Sequence, residues 1–377
     1  MKSSLDWYIN NNVSPVRLNI ESKAKDIHML NRISLFRHLG IIPALSRGKS
    51  IIEFGPGSGF NSLATYKTLK PGRYTLVEGN EKAINEMRNL FDINIKYASD
   101  INIVNSRITD YREPDSNYDI SILENVLVGQ SEAPEILINA SKFAPFFIVS
   151  LVDPVGWFPE LLKFYIAQLV IKECNTLDEK LKKLLPIFSP HLDSIKGMNR
   201  RYDDWIVDNL LNPAMAGELL SFPKAIELIG DNFELYNSSP KMFNDWSWYK
   251  NADYNYNNTA LRQYYENLFN FIDYRIPYVS TDISIKNKIM LLDLCKEFQV
   301  LVKDSLDDIE SNKNYIIKIL YEIASLCSFS QGTVDSITFA INFIKGSESV
   351  ERLSNHKSFS TFFGRSTHVY SFNRVPH

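Results

Sequence analysis

Ile51-Ile52-Glu53-Phe54-Gly55-Pro56-Gly57-Ser58-Gly59 decides how this chain folds. The first half is an apolar run of strand type, and the second half places glycine at every other position. Glycine takes up positive φ without steric cost and brings the backbone against a ligand with no Cβ between them. Phe60-Asn61-Ser62-Leu63-Ala64-Thr65-Tyr66 comes next and predicts a helix start, whose free N–H groups point into the same space as the turn. Strand, turn and helix N-terminus together predict a βα unit of the nucleotide-binding kind. The dinucleotide fingerprint G-x-G-x-x-G does not fit, because Phe60 stands where its third glycine belongs.

An acid closing the strand, Glu53, followed by Gly55, Gly57 and Gly59, resembles the first motif of class I S-adenosylmethionine-dependent methyltransferases. The resemblance implies an α/β fold with a Rossmann-like seven-stranded sheet. It also implies S-adenosylmethionine as cofactor, with the turn against its methionine end. A second acid is expected to close the next strand and accept both ribose hydroxyls; Tyr74-Thr75-Leu76-Val77-Glu78 supplies Glu78. In the family the segment after the third strand flanks the adenine, and an acid or amide there reads its amino group. Asp110 is the candidate, with Arg107 and Ile108 as a rival flanking pair and a solvated loop aspartate as the plainer alternative. The cofactor set implied is thus Glu53, Gly55, Gly57, Gly59, Glu78 and Asp110, against the alternative of an ordinary glycine-rich turn with a surface glutamate beyond it.

Composition narrows the partners. At 377 residues the chain exceeds a minimal core of this kind and has room for added elements. A formal net charge of −3 and a pI near 6.1 give no bulk attraction to nucleic acid, which is not the expected partner. Cys174, Cys295 and Cys327 are widely spaced, so neither a disulfide framework nor a zinc site is expected, and a reducing cytoplasm fits. Met1 to Trp7 lacks an apolar signal core and no run approaches a membrane span, so no membrane partner is expected.

Taken in order, residues 1–45 form a leading segment with a helix from Glu21 to His38, its apolar face drawn through Ile27, Leu30, Ile33 and Leu35. This helix either packs beside the core or covers the cofactor. Residues 46–155 are the cofactor-binding core, with strands at Lys49 to Phe54, Tyr74 to Glu78, Ile101 to Asn105, Tyr118 to Asn125 and Ala144 to Val152. Residues 156–215 read as a helical insertion after strand five, and 216–240 return to the core with strand six at Phe233 to Asn237. Residues 241–360 read as a second helical insertion, and 361–377 carry the seventh strand at Thr367 to Phe372. Both insertions are expected to emerge over the ligand edge as lids or substrate platforms. Met242 to Tyr278 is dense in aromatics, among them Phe243, Trp246, Trp248, Tyr249, Tyr254, Tyr264, Phe269 and Phe271; it reads as helical core, or as a surface for a sugar or aromatic substrate.

Methyl transfer to a hydroxyl needs the acceptor held in line with the donor and its proton removed by a base poised near neutral pH. The chain has six histidines: His28, His38, His191, His356, His368 and His377. His191, in Ser189-Pro190-His191-Leu192-Asp193 of the first insertion, is the favoured base, with a structural histidine as the alternative. Asp153 and Glu124, at strand ends, are its rivals. Glu124, Asn125 and Asp153 offer oxygen ligands, but no strong metal spacing is present and no metal is expected. The block from Pro190 to Pro213 resembles uncharacterised bacterial methyltransferases, some associated with surface-polysaccharide genes, which implies a sugar hydroxyl as acceptor. The Asn/Asp-Pro-Pro-aromatic run of nitrogen-directed enzymes is replaced here by Glu124-Asn125-Val126-Leu127. The expected activity is therefore O-methylation of a sugar or small molecule. Its competitors are aminopropyl transfer on the same fold and a noncatalytic cofactor- or partner-binding protein.

Overall fold

The computed structural model describes residues 4–14, 22–95, 100–113, 117–244, 246–251, 256–279 and 283–375. Tyr254 and His377 lie outside these. Runs such as Ile51, Ile52 and Phe54, or Ile120 to Leu123, carry no polar alternation and are buried on both faces, as parallel strands covered by helices require. They build a sheet of seven strands in the order β3-β2-β1-β4-β5-β7-β6. The strands are β1 (Ser50–Phe54), β2 (Arg73–Glu78), β3 (Ile101–Asn105), β4 (Ile120–Leu123), β5 (Phe146–Val152), β6 (Phe233–Ser239) and β7 (Thr367–Arg374). β1 to β5 pair in parallel along the ladder, and β6 pairs antiparallel with β7. The Arg374 N–H donates to Pro145 O at one end and the Asp153 N–H to Ser366 O at the other, so β7 runs against β5 and β6 runs with it. This is the α/β arrangement with a seven-stranded mixed sheet expected from the sequence.

The register brings three strand ends together. Phe54 pairs with Val77 on one side and Leu123 on the other. The next residues, Gly55, Glu78 and Glu124, therefore share the carboxyl edge of three adjacent strands. Helices Phe60–Leu69 and Glu81–Asn94 pack on one face through Leu63, Leu69, Ile84, Met87 and Phe91.

The chain divides into two compact units. The first contains Met1–Leu151, Glu218–Tyr264 and His368–His377, and the second contains Val152–Gly217 and Tyr265–Thr367. The two helical stretches that sequence separates thus fold together. Residues 241–264, expected to belong to the second insertion, stay with the sheet. Helix Pro154–Ile171 runs through the second unit almost wholly buried, its Lys163 donating to the carbonyls of Phe359 and Phe362. Among the described residues no helix is long and apolar enough to cross a membrane.

Helix Ser22–His38 forms where expected but presents a different face. Leu30 and Ile33 are exposed, while Arg32, Phe36 and Leu39 are buried. Apolar residues surround this helix, so spacing alone does not select the stripe; the core chose the one ending in Phe36 and Leu39.

Candidate functional site

The turn after β1 is held open by backbone geometry. Gly55, Gly57 and Gly59 have φ of +68°, +57° and +83°, a region costly for any residue with a Cβ. Gly55 and Gly59 are also sterically required: a Cβ would come within 2.5 Å of Val126 and 2.6 Å of Met87 respectively. Gly57 differs, since a Cβ there would meet no protein atom within 4 Å. The turn therefore presents bare backbone to open space at Gly57. Gly59 caps helix Phe60–Leu69 without any side-chain hydrogen bond, leaving its first-turn donors beside the same turn.

Two carboxylates fix the turn. Glu78 is 6% exposed, and it accepts from the Gly57 N–H at 2.9 Å and the Asn80 N–H at 2.8 Å. Burial raises its pKa, against the backbone donors of Asn80, Gly57 and Gly79, which lower it. A carboxylate has about four acceptor directions, so with these three donors at least one is left for a ligand's hydroxyl. Glu53 lies deeper, accepting from Ser62 Oγ at 2.9 Å and from the Tyr74 hydroxyl. Burial pushes it up to about 7, with the nearby Glu124 charge adding to the rise while Tyr74, Ser62 and Arg32 oppose it. Glu53 thus ties β1 to the turn's helix and to β2, and positions the loop from behind.

At the end of β4, Glu124 is buried and paired with Arg32, whose Nη1 lies 2.9 and 2.8 Å from the two carboxylate oxygens. Arg32 Nη2 also reaches Thr65 Oγ1 at 3.4 Å. His28, one helical turn earlier, is joined to the backbone of Phe60, and its pKa is lowered by burial and by the Arg32 charge. These contacts clamp helix Ser22–His38 onto the turn and its helix. The adjacent Asn125 sits at φ +56°, its N–H donating to Ser150 Oγ at 2.5 Å.

The loops after β2 and β3 are covered by the chain's beginning. Helix Ser4–Asn10 sends Asp6 to Arg107 at 2.6 Å, and Asn80 Nδ2 and Lys82 Nζ reach the carbonyls of Val13 and Asn12 at 3.0 and 2.6 Å. Asp110 is exposed in the turn after β3, its N–H donating to Arg107 O at 3.1 Å. Ile108 holds Asn139 through its carbonyl at 2.9 Å. The structure thus gathers Glu53, the three glycines, Glu78 and Glu124 at one edge, with Asp110 on the loop beside them.

The other two candidate bases belong to the second unit and are committed elsewhere. Asp153 is the N-cap of helix Pro154–Ile171, accepting from the N–H groups of Val155 and Gly156 at 2.8 and 2.9 Å. That corrects its reading as a base: the carboxylate satisfies orphan donors of the first turn. His191 lies in the last turn of helix Leu177–Asp193, fully buried, with Nε2 donating to Leu353 O at 3.0 Å. Its ring meets those of Phe188 and Phe359 at 4.9 and 5.7 Å. Burial, then the Lys163 charge, pulls its pKa down to about 3. The expected lid base is a packed core histidine. Sequence reasoning does not single out Arg32, His28, Ser62 or Tyr74. For the first, the available signal is an arginine four residues before Phe36 and seven before Leu39.

No protein-family model matches the chain. No curated protein matches it. Among solved structures it is similar to magnesium protoporphyrin IX methyltransferase from Synechocystis PCC 6803 with bound S-adenosylhomocysteine, at 13% identity over 62% of this chain and 90% of that one, TM-score 0.37. It is also similar to the CcbJ methyltransferase of Streptomyces caelestis, at 16% identity over 35% of this chain and 50% of that one, TM-score 0.27. A third is the N-terminal domain of EvdMO1 with S-adenosylhomocysteine bound, at 13% identity over 36% of this chain and 51% of that one, TM-score 0.29. For the last two the match spans about half of the other chain. Likeness at this level assigns no residue, and the strand order rests on its own pairing.

The titrating groups and the packing each lead to a measurable outcome. Because Glu53 ionises in the native state only near pH 7, against 4.5 for its ordinary value, the unfolded chain releases this proton first. Its contribution to stability therefore falls as pH rises from about 4.5 to about 7, by up to about 3 kcal/mol. Urea unfolding of the wild type and Glu53→Gln across this window should show the variant gaining relative stability as pH rises; parallel curves would contradict the assignment. His191→Ala should lower stability by about 2–3 kcal/mol through lost packing while leaving ligand affinity at the glycine turn unchanged, which calorimetry and denaturant titration together read.

Proposed function

We propose that this chain is an S-adenosylmethionine-dependent methyltransferase that methylates a hydroxyl of a sugar or small molecule. The observation carrying the reading is the pairing of Gly57, the turn glycine whose missing Cβ faces open space, with Glu78, whose carboxylate is fixed beside it by the Gly57 N–H. These residues fit the cofactor: bare backbone for the methionine end, a fixed carboxylate for the ribose hydroxyls, and Asp110 on the loop after β3 for the adenine amino group. Bound there, S-adenosylmethionine supplies a methyl group on a sulfonium centre.

The chain's own residues orient and desolvate. Gly55 and Gly59 keep the turn in its positive-φ shape, and Glu53 braces it from below. Of the three candidate bases only Glu124 stands at this edge; held in place by Arg32, it would accept the hydroxyl's proton as the acceptor oxygen bonds the methyl carbon and the carbon–sulfur bond breaks. Holding acceptor and methyl carbon in line is the larger part of the catalytic effect in such a displacement.

Gly57→Ala separates this reading from a purely structural turn. With no atom for the new Cβ to strike, the fold should lose only the ~1–2 kcal/mol of an L-residue at positive φ, while affinity for S-adenosylhomocysteine should drop at least tenfold. Equal affinity in wild type and variant by calorimetric titration, or no saturable binding to the wild type, would sink the proposal. Glu78→Ala should weaken binding by roughly 10–100-fold, the range expected for charge-assisted hydrogen bonds.

A further inference from the structure

Beyond the carboxyl end of β6 the chain runs through Met242, Phe243 and Asn244 to Trp246-Ser247-Trp248-Tyr249-Lys250-Asn251. β6 is parallel to β1, so this run starts from the edge that carries the glycine turn. Its root is fixed. Met242 is buried, and the ring of Phe243 packs on Phe222 and Tyr370 at 5.4 and 6.3 Å. The Asn244 N–H donates to Gln263 Oε1 at 2.8 Å, and Gln263 Nε2 donates back to Asn244 O at 2.7 Å.

Past that root the rings face water. Trp246 is 96% exposed, Trp248 62% and Tyr249 74%. Trp248 and Tyr249 meet edge to face at 5.4 Å, with Lys250 Nζ 5.0 Å and 5.7 Å from their ring centres. The Asn251 N–H donates to Trp248 O at 2.7 Å and closes a single 3₁₀ turn, Tyr249–Asn251. Large rings left in water contribute nothing to the core, and clustered exposed apolar surface marks a contact site.

The chemistry of the cluster narrows its occupant. Ser247 separates the two tryptophans and Asn244 and Asn251 flank the run, while the acidic Asp245 next to Trp246 in sequence disfavours an anionic ligand. A hexopyranose is complementary, with an apolar C–H face and a rim of hydroxyls. Small-molecule sites are concave and enclose most of their ligand, whereas a tryptophan as exposed as Trp246 encloses nothing and suits an extended chain. The cation beside the rings, Lys250, is directed at their faces, so no anionic ligand is required. A lipid surface is taken by a long amphipathic helix with a Lys/Arg-rich polar face, which a single 3₁₀ turn does not provide.

We propose that Trp246, Trp248 and Tyr249 form a platform for an extended neutral glycan of hexopyranose units, and that the acceptor hydroxyl belongs to such a chain. The second clause rests on the methyl-transfer reading of the Gly57 turn; the first does not. The test is affinity electrophoresis of the full chain through gels cast with soluble β-1,4-glucan, α-1,6-glucan or β-1,4-mannan. It is paired with calorimetric titration of S-adenosylhomocysteine and flotation with phosphatidylcholine vesicles.

Retardation by at least one polysaccharide, reduced at least fivefold in Trp246→Ala/Trp248→Ala with unchanged S-adenosylhomocysteine affinity, is the expected result. Retardation without S-adenosylhomocysteine binding would uphold the platform and remove only the methyl-transfer reading. Migration unaffected by all three polysaccharides, equal retardation of the double variant, or vesicle flotation that depends on the two tryptophans would overturn the platform.

Discussion

A backbone turn with positive φ at three glycines is open to no other residue without strain, and carboxylates hold it from two sides. Glu78 reaches across from β2 to the Gly57 N–H, and Glu53 reaches down to Ser62 and Tyr74. Both are buried, so each trades the hydration of a charged group for fixed donors. The order of the strands is what makes this possible, since only with β2 and β4 flanking β1 do Glu78, Gly55 and Glu124 meet at one edge.

Much of this was legible in the sequence, for a physical reason. Strands covered on both faces are written as mainly apolar runs, and Ile51 to Phe54, Ile120 to Leu123 and Phe146 to Val152 are so written, each with a single polar residue, Glu53, Ser121 and Ser150. Glycines at fixed spacing mark a turn because no other residue takes its conformation cheaply. The return of the seventh strand after a long helical excursion was also readable, because Thr367 to Phe372 is rich in β-branched and aromatic residues, Thr367, Val369, Tyr370 and Phe372 among them.

What sequence hid were facts that only packing decides. The face of helix Ser22–His38 was ambiguous because apolar residues ring it, and Arg32 entered the core only because Glu124 waited there. His191 was judged by its chemistry, and burial between Phe188 and Phe359 removed that chemistry. Asp153 carried a readable signal, an aspartate followed by proline at a helix start, which describes an N-cap better than a base. The aromatic segment divided in a way composition does not show: Tyr264, Phe269 and Phe271 went into cores, whereas Trp246 and Trp248 went out.

The Arg32–Glu124 pair joins residues 92 positions apart, one on the leading helix and one at the end of β4. A buried charge stripped of its partner costs several kcal/mol, so neither residue is replaceable alone, and an apolar pair in both places is the accessible alternative. Viewed as inheritance, the leading helix and the middle of the sheet are one unit of change, although they are far apart in the chain. A graft of this core onto a different N-terminal segment must bring its own arginine or surrender the glutamate.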